Sequence, residues 1–172
     1  MTELPAINKE ARKISIILSK GSLDMALAAC VLGNAARMEG IETHIFFTFW
    51  GLDVITKKKM KKIGISTIGN PAMHPTFHIP TWIGSIPGMS AMATWMMNKE
   101  MAKIDVPPLD EFIEMVVDAG ANIYACKMTV DMFKLKQEDF IDGAVILGAT
   151  DFIEISDGAQ IIFRSEEHTS EL

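Results

Sequence analysis

The run from Lys13 to Ser19 (KISIILS) constrains this chain most. It is short, rich in β-branched residues and lacks clean apolar–polar alternation, which suits a strand buried on both faces. Lys20-Gly21 then turns the chain, Ser22 is placed to cap a helix, and a helix is predicted from Leu23 to about Glu39. Leu23, Leu27, Cys30, Val31 and Met38 fall on or near one face of it, and Gly40 ends it. A second strand follows from Ile41 to Phe49, a short helical region from Gly51 to Ile63, and a third strand from Ile65 to Gly69. Pro71, Pro75, Pro80 and Pro87 forbid a regular element between Asn70 and Met89, which reads as a long ordered loop.

Helix returns from Ser90 to Lys103, carrying Met92, Met96, Met97 and Met101. Pro107-Pro108 set the start of another from Leu109 to Ala119, with Phe112, Ile113 and Val116 as its apolar stripe and Gly120 as its stop. Strands are predicted at Asn122–Ala125, Ala144–Leu147 and Ala159–Phe163, with a helix beginning near Met128 and a last short one capped by Asp151 with Glu154 in its first turn. Strands alternating with helices mean βαβ crossovers. The expected fold is therefore α/β: a three-layer α/β/α sandwich with a mainly parallel sheet of five or six strands.

One domain accounts for residues 1–163, with 70–103 as a Pro/Met-rich insertion. The last nine residues, Arg164 to Leu172 (RSEEHTSEL), break abruptly from the strand before them and read as a translated sequencing adapter, foreign to the fold. His168 therefore enters no functional argument. The segment Ile79 to Met97 is apolar, but Pro80, Pro87 and two glycines interrupt it, and a spanning helix needs about 20 uninterrupted apolar residues. Membrane insertion is not expected. Lys+Arg 16 against Asp+Glu 22 argues against nucleic-acid binding, which requires a basic face, and the one lysine cluster, Lys57 to Lys62, is short and reads as a solvated helix face.

Cys30 and Cys126 are the only cysteines, too far apart in sequence for a zinc or redox pair. No signal-peptide pattern precedes the first apolar run, and free thiols suit a reducing compartment, so a cytoplasmic location is expected. Cys126 follows a strand and precedes a helix, where unpaired N–H groups and a partial positive charge favour a thiolate. Lys127 adds to that. Cys30 sits mid-helix on the predicted buried face and reads as core. His74 and His78 have the i,i+4 spacing of a helical metal pair, but Pro75 between them argues against the helix, and no third ligand is near. The better reading for His74 is a polar handle on a lid over Cys126. His44, inside strand two, reads as structural. Ser19-Lys20-Gly21-Ser22 could cradle an anion but lacks the glycines of a phosphate loop. The reading calls for no metal and no cofactor.

Six segments in order carry a resemblance: Ser19–Asp24 (SKGSLD), Phe46–Leu52 (FFTFWGL), Gly69–Met73 (GNPAM), Pro87–Met89 (PGM), Tyr124–Thr129 (YACKMT) and Asp139–Gly143 (DFIDG). Together they resemble the DsrE/DsrF-like family, in the branch with a long Met- and Pro-rich insertion before the cysteine strand. The resemblance implies a three-layer fold built for sulfur relay, often oligomeric, working with TusA-like or rhodanese-like sulfur carriers. It implies that Cys126 accepts a persulfide sulfur and passes it on, as a sulfurtransferase-like carrier. Lys127, Lys20, Ser22, Asn70 and His74 are then the candidates to stabilise the thiolate or shape its pocket. A binding or scaffold subunit docking through the Met-rich insertion, or a thiol peroxidase-like protein, is the alternative.

Overall fold

The computed structural model of the chain describes residues 12–65, 89–159 and 161–164. In chain order it forms β1 (Lys13–Leu18), α1 (Leu23–Met38), β2 (Glu42–Phe47), two 3₁₀ turns (Phe49–Ile55 and Met60–Lys62), α2 (Met89–Lys103) and α3 (Leu109–Asp118). There follow β3 (Asn122–Cys126), α4 (Lys127–Phe133), a 3₁₀ turn (Gln137–Asp139), β4 (Ala144–Leu147), α5 (Ala149–Ile155) and β5 (Ile161–Arg164). Among the described residues the sheet has five strands in the order β4-β3-β2-β1-β5, all parallel. Ile65 lies outside any strand, and the rest of the expected Ile65–Gly69 strand falls outside the described residues. β5 ends at Arg164, the first residue of the stretch read as foreign.

The order of the strands explains the layers. The steps β1→β2→β3→β4 all run in one direction, so right-handed crossovers put their helices on one side of the sheet. There α1 packs on α3, and Ile16, Leu18, Ile45, Phe47, Ile113, Val116 and Ile123 form the main core. The return from β4 to β5 crosses the other side and carries only α5. Phe152 of α5 stacks on Phe46 at 4.5 Å between ring centroids and meets the edge of Tyr124 at 6.0 Å. The second face is thus covered by one short helix among the described elements.

The buried face of α1 is the expected one only in part: Leu23 and Cys30 are buried and Leu27 packs against the core. Val31 and Met38 point to solvent, and Ala26, Ala29, Cys30, Gly33 and Ala36 face the sheet with Leu23. Small residues let the helix approach closely: a Cβ on Gly33 would stand 3.0 Å from Ile45 Cδ1. The last helix also starts earlier than expected, at Ala149 after an extended Gly148, so Asp151 lies in its first turn and is not its cap. Arg37, in the last turn of α1, donates from Nε to Ala119 O (2.8 Å) and from Nη1 to Ile41 O (2.9 Å). It ties two chain reversals together. Arg37→Ala should cost about 1–2 kcal/mol in chemical denaturation, since it leaves two carbonyls short of a charged donor.

Among the described residues no helix is long and apolar enough to cross a membrane.

Candidate functional site

Alternation along β3 decides where its cysteine goes. Ile123 and Ala125 enter the main core, while Tyr124 and Cys126 turn to the α5 side, where Cys126 is buried with Phe46 and Phe152. Cys126 is the last residue of β3 and the cap of α4. The β2–β3 register pairs Phe47 with Ala125, which brings Thr48, one residue beyond β2, alongside Cys126. α4 returns Thr129 to the same spot. Thr48 Oγ1 and Thr129 Oγ1 are 3.2 Å apart, and the amide of Phe49 donates to Thr129 Oγ1 at 3.2 Å.

The sulfur therefore lies in a small polar niche within an apolar setting, with the residue only 4% exposed. Burial pushes the thiol up, but donors from the Thr129 amide, the Thr48 hydroxyl, the Thr129 hydroxyl and the Met128 amide more than offset it, leaving Cys126 below the ordinary thiol value. These are soft contacts, since the cysteine makes no cap hydrogen bond of standard geometry. They strengthen when the sulfur is charged. Around the niche the surface is apolar: Phe49, Trp50, Met128 and Met132 are exposed, and Trp50 stacks on Phe133 at 5.3 Å. Phe49 holds φ 46°, a left-handed conformation that an aromatic residue rarely adopts.

The other sequence candidates fall elsewhere. Lys127 turns to solvent, its Nζ 3.2 Å from Asp131 Oδ2, and the side chain is 64% exposed. A lysine paired with its own carboxylate in water offers the sulfur little. Lys20 and Ser22 lie past the end of β1, with β2 between that strand and β3. Ser22 occupies the cap position of α1 without a cap bond, and its Oγ and Asp24 Oδ1 are buried without a hydrogen-bond partner. Asn70, His74 and His78 lie outside the described residues. His44 is buried, its Nδ1 3.2 Å from the Tyr124 hydroxyl and its Nε2 2.9 Å from Glu42 Oε1.

Cys30 is fully buried in the main core, where desolvation pushes its thiol up to about 12. It faces the sheet from the side opposite Cys126. No three His, Cys, Asp or Glu side chains gather as a metal site among the described residues.

Sequence reasoning missed Thr48, Thr129 and the Phe49 amide. The signal available was a threonine at the third position after a strand-end cysteine, where the amide of a helix's first turn faces its cap.

The sequence profile of the DsrE/DsrF/DrsH-like family matches residues 10–163. The sulfur carrier protein DsrE2 of Allochromatium vinosum is 35% identical over 156 residues, spanning 88% of this chain and 97% of that protein. The uncharacterized protein YrkE of Bacillus subtilis is 26% identical over 149 residues, spanning 86% and 92% respectively. The crystal structure of the ychN protein from E. coli superposes with a TM-score of 0.52 at 9% identity, over 90% of this chain and 98% of that one, a likeness of fold alone. The βαβ order and the parallel sheet agree with the likeness of fold, and the chain belongs to the DsrE/DsrF/DrsH-like family.

Proposed function

We propose that Cys126 accepts a sulfane sulfur as a persulfide and relays it to a partner protein, so that the chain acts as a sulfur carrier. The carrying observation is the placement of Cys126: it ends β3, caps α4 and lies beside the paired hydroxyls of Thr48 and Thr129, a setting that supports a thiol below the ordinary value. The similarity to a sulfur carrier supports a role in sulfur relay. The step is thiol–disulfide exchange in another form. The Cys126 thiolate attacks the outer sulfur of a donor persulfide R–S–SH, the donor's S–S bond breaks, R–S⁻ leaves, and Cys126–S–SH remains.

The exposed Phe49, Trp50, Met128 and Met132 support exchange with a docked protein, since large apolar side chains around a site suit protein contact. TusA-like or rhodanese-like carriers are the partners this reading expects. Homo-oligomerisation belongs to it too, and α2 exposes Met92, Trp95 and Met96. A working free thiol fits a reducing compartment such as the cytoplasm. Against the peroxidase alternative, Cys30 lies across the sheet from Cys126 and cannot resolve an oxidised sulfur there without unfolding.

Intact-mass spectrometry of the reduced protein after exposure to polysulfide tests the reading. A gain of about 32 Da per sulfur, mapped to the Cys126 peptide and reversed by reductant, is the expected result. No adduct at Cys126 would sink it.

A further inference from the structure

We propose, resting on the sulfur-carrier reading, that Thr129 is a positioning residue: held by the amide of Phe49, it aims its hydroxyl proton at the Cys126 sulfur and speeds the step in which that sulfur gives its cargo away.

The argument starts from the backbone of Phe49. Nothing in an aromatic side chain favours φ 46°. What that conformation accompanies is an N–H aimed at Thr129 Oγ1, 3.2 Å away. Thr129 is fully buried, so its hydroxyl has no water to turn to. Having accepted from Phe49, it has one proton left to place. The Thr48 oxygen, 3.2 Å away, is one acceptor, and the sulfur of Cys126, at the cap of the helix whose first turn holds Thr129, is another. When Cys126 is a neutral thiol, the two hydroxyls can satisfy each other. When it is a thiolate, both protons can turn to the sulfur. The pair behaves as a small rotor that responds to charge on one atom.

That atom is charged at a defined moment. In the persulfide Cys126–S–SH the inner sulfur is neutral and the outer one carries whatever charge there is. An acceptor thiolate R–S⁻ attacks the outer sulfur, the inner S–S bond breaks, and its electron pair stays on Cys126. The products are R–S–SH and the Cys126 thiolate. Charge therefore develops on the inner sulfur as it leaves, where Thr129 and its neighbours stabilise it. The same donors make that thiolate a weaker nucleophile during loading. A stabilised thiolate is a better leaving group and a poorer attacker. The niche thus favours discharge to an ordinary thiol over storage.

The test uses the full chain, loaded with polysulfide and discharged to N-acetylcysteine, with both rates followed by quenched mass spectrometry. The pH profile of Cys126 alkylation is recorded in parallel. In Thr129→Val the alkylation midpoint should rise by about one pH unit, the value of one hydrogen bond to a charged group. Discharge should slow several-fold, while loading at pH above the midpoint is unchanged or faster. Thr129→Ser should restore the wild-type values. A fall in both rates together marks a merely structural role and overturns the proposal, as does no change in either. Thr48→Val, at a less enclosed position, should show the same split, which keeps the experiment decisive if Thr129→Val does not fold. Failure of the wild-type chain to load at all would instead remove the sulfur-carrier reading.

Discussion

Gly51→Ala should destabilise the domain by about 3 kcal/mol or more, lowering Tm by roughly 10 °C in a thermal melt, or should prevent folding outright. A Cβ at this position would stand 2.1 Å from the carbonyl oxygen of Leu18 and 2.9 Å from its carbon. Both are backbone atoms at the end of β1, so no side chain can swing aside. Nor can Gly51 itself retreat, because its amide donates to Ser19 O at 3.1 Å and to Thr48 O at 2.9 Å. Gly21 meets the same crowding from the other side, its Cβ position 2.3 Å from Trp50 O. The two glycines let the turn after β1 lie backbone-to-backbone against the turn after β2. Thr48, Phe49 and Trp50 ride on that second turn, so a partly folded variant should also lose the low midpoint of Cys126 alkylation. Gly40→Ala is the control. Its φ of +71° strains an alanine, but nothing lies within 4 Å, so a loss of only about 1 kcal/mol is expected. Equal losses at the two positions would show that the close approach at Gly51 carries no special cost.

The contrast between these glycines also marks what a sequence can reveal. The strands at Lys13, Ile41, Asn122 and Ala144 were legible because short apolar runs, most of them rich in β-branched residues and bounded by turn residues, have few other readings. The caps were legible where a glycine or proline dictated them: Gly40 after α1, Pro108 before α3, Gly120 after it. The inner face of α1 was not, because hydrophobicity ranks Val31 and Met38 above Ala26 and Gly33, whereas close helix–sheet packing selects for size. For the candidate site, the position of Cys126 at the end of a strand and the start of a helix was legible. Lys127 looked like its partner because neighbours in sequence look like neighbours in space, yet its side chain lies along the exposed face of α4 and pairs with Asp131 one turn on. Thr48 reaches the sulfur only through the pairing of β2 with β3, a relation between residues far apart in the chain. The left-handed Phe49 has no sequence mark at all, since nothing about a phenylalanine announces a positive φ.

Sulfur uptake should vanish in Cys126→Ala and persist in Cys30→Ala, and the contributions of the two thiols to stability should change with pH in opposite senses. Both cysteines are buried, so burial alone does not separate them. What separates them is what surrounds each sulfur. Cys30 meets only apolar groups of the main core, and desolvation pushes its thiol up to about 12. Cys126 meets the hydroxyls and amides of Thr48, Met128 and Thr129, which bring it below the ordinary value despite its burial. Alkylation by iodoacetamide should therefore reach its plateau at Cys126 at a lower pH than for a free cysteine near 8.5. Cys30 should react only when the fold opens, at least about a thousandfold more slowly, for a domain of ordinary stability. Linkage gives the signs. Because the folded value of Cys30 is raised, its contribution to stability is complete below the ordinary thiol value and is lost as pH rises toward about 12. For Cys126 the folded value is lowered, so its contribution is complete above the ordinary value and is lost as pH falls through the folded one. Denaturation between pH 8 and 11 should then show Cys30→Ala losing less stability with rising pH than the wild type, and Cys126→Ala losing more or gaining less. Rapid labelling of both thiols in the native protein, or sulfur uptake that survives Cys126→Ala, would mean that the niche at the end of β3 does not govern the chemistry.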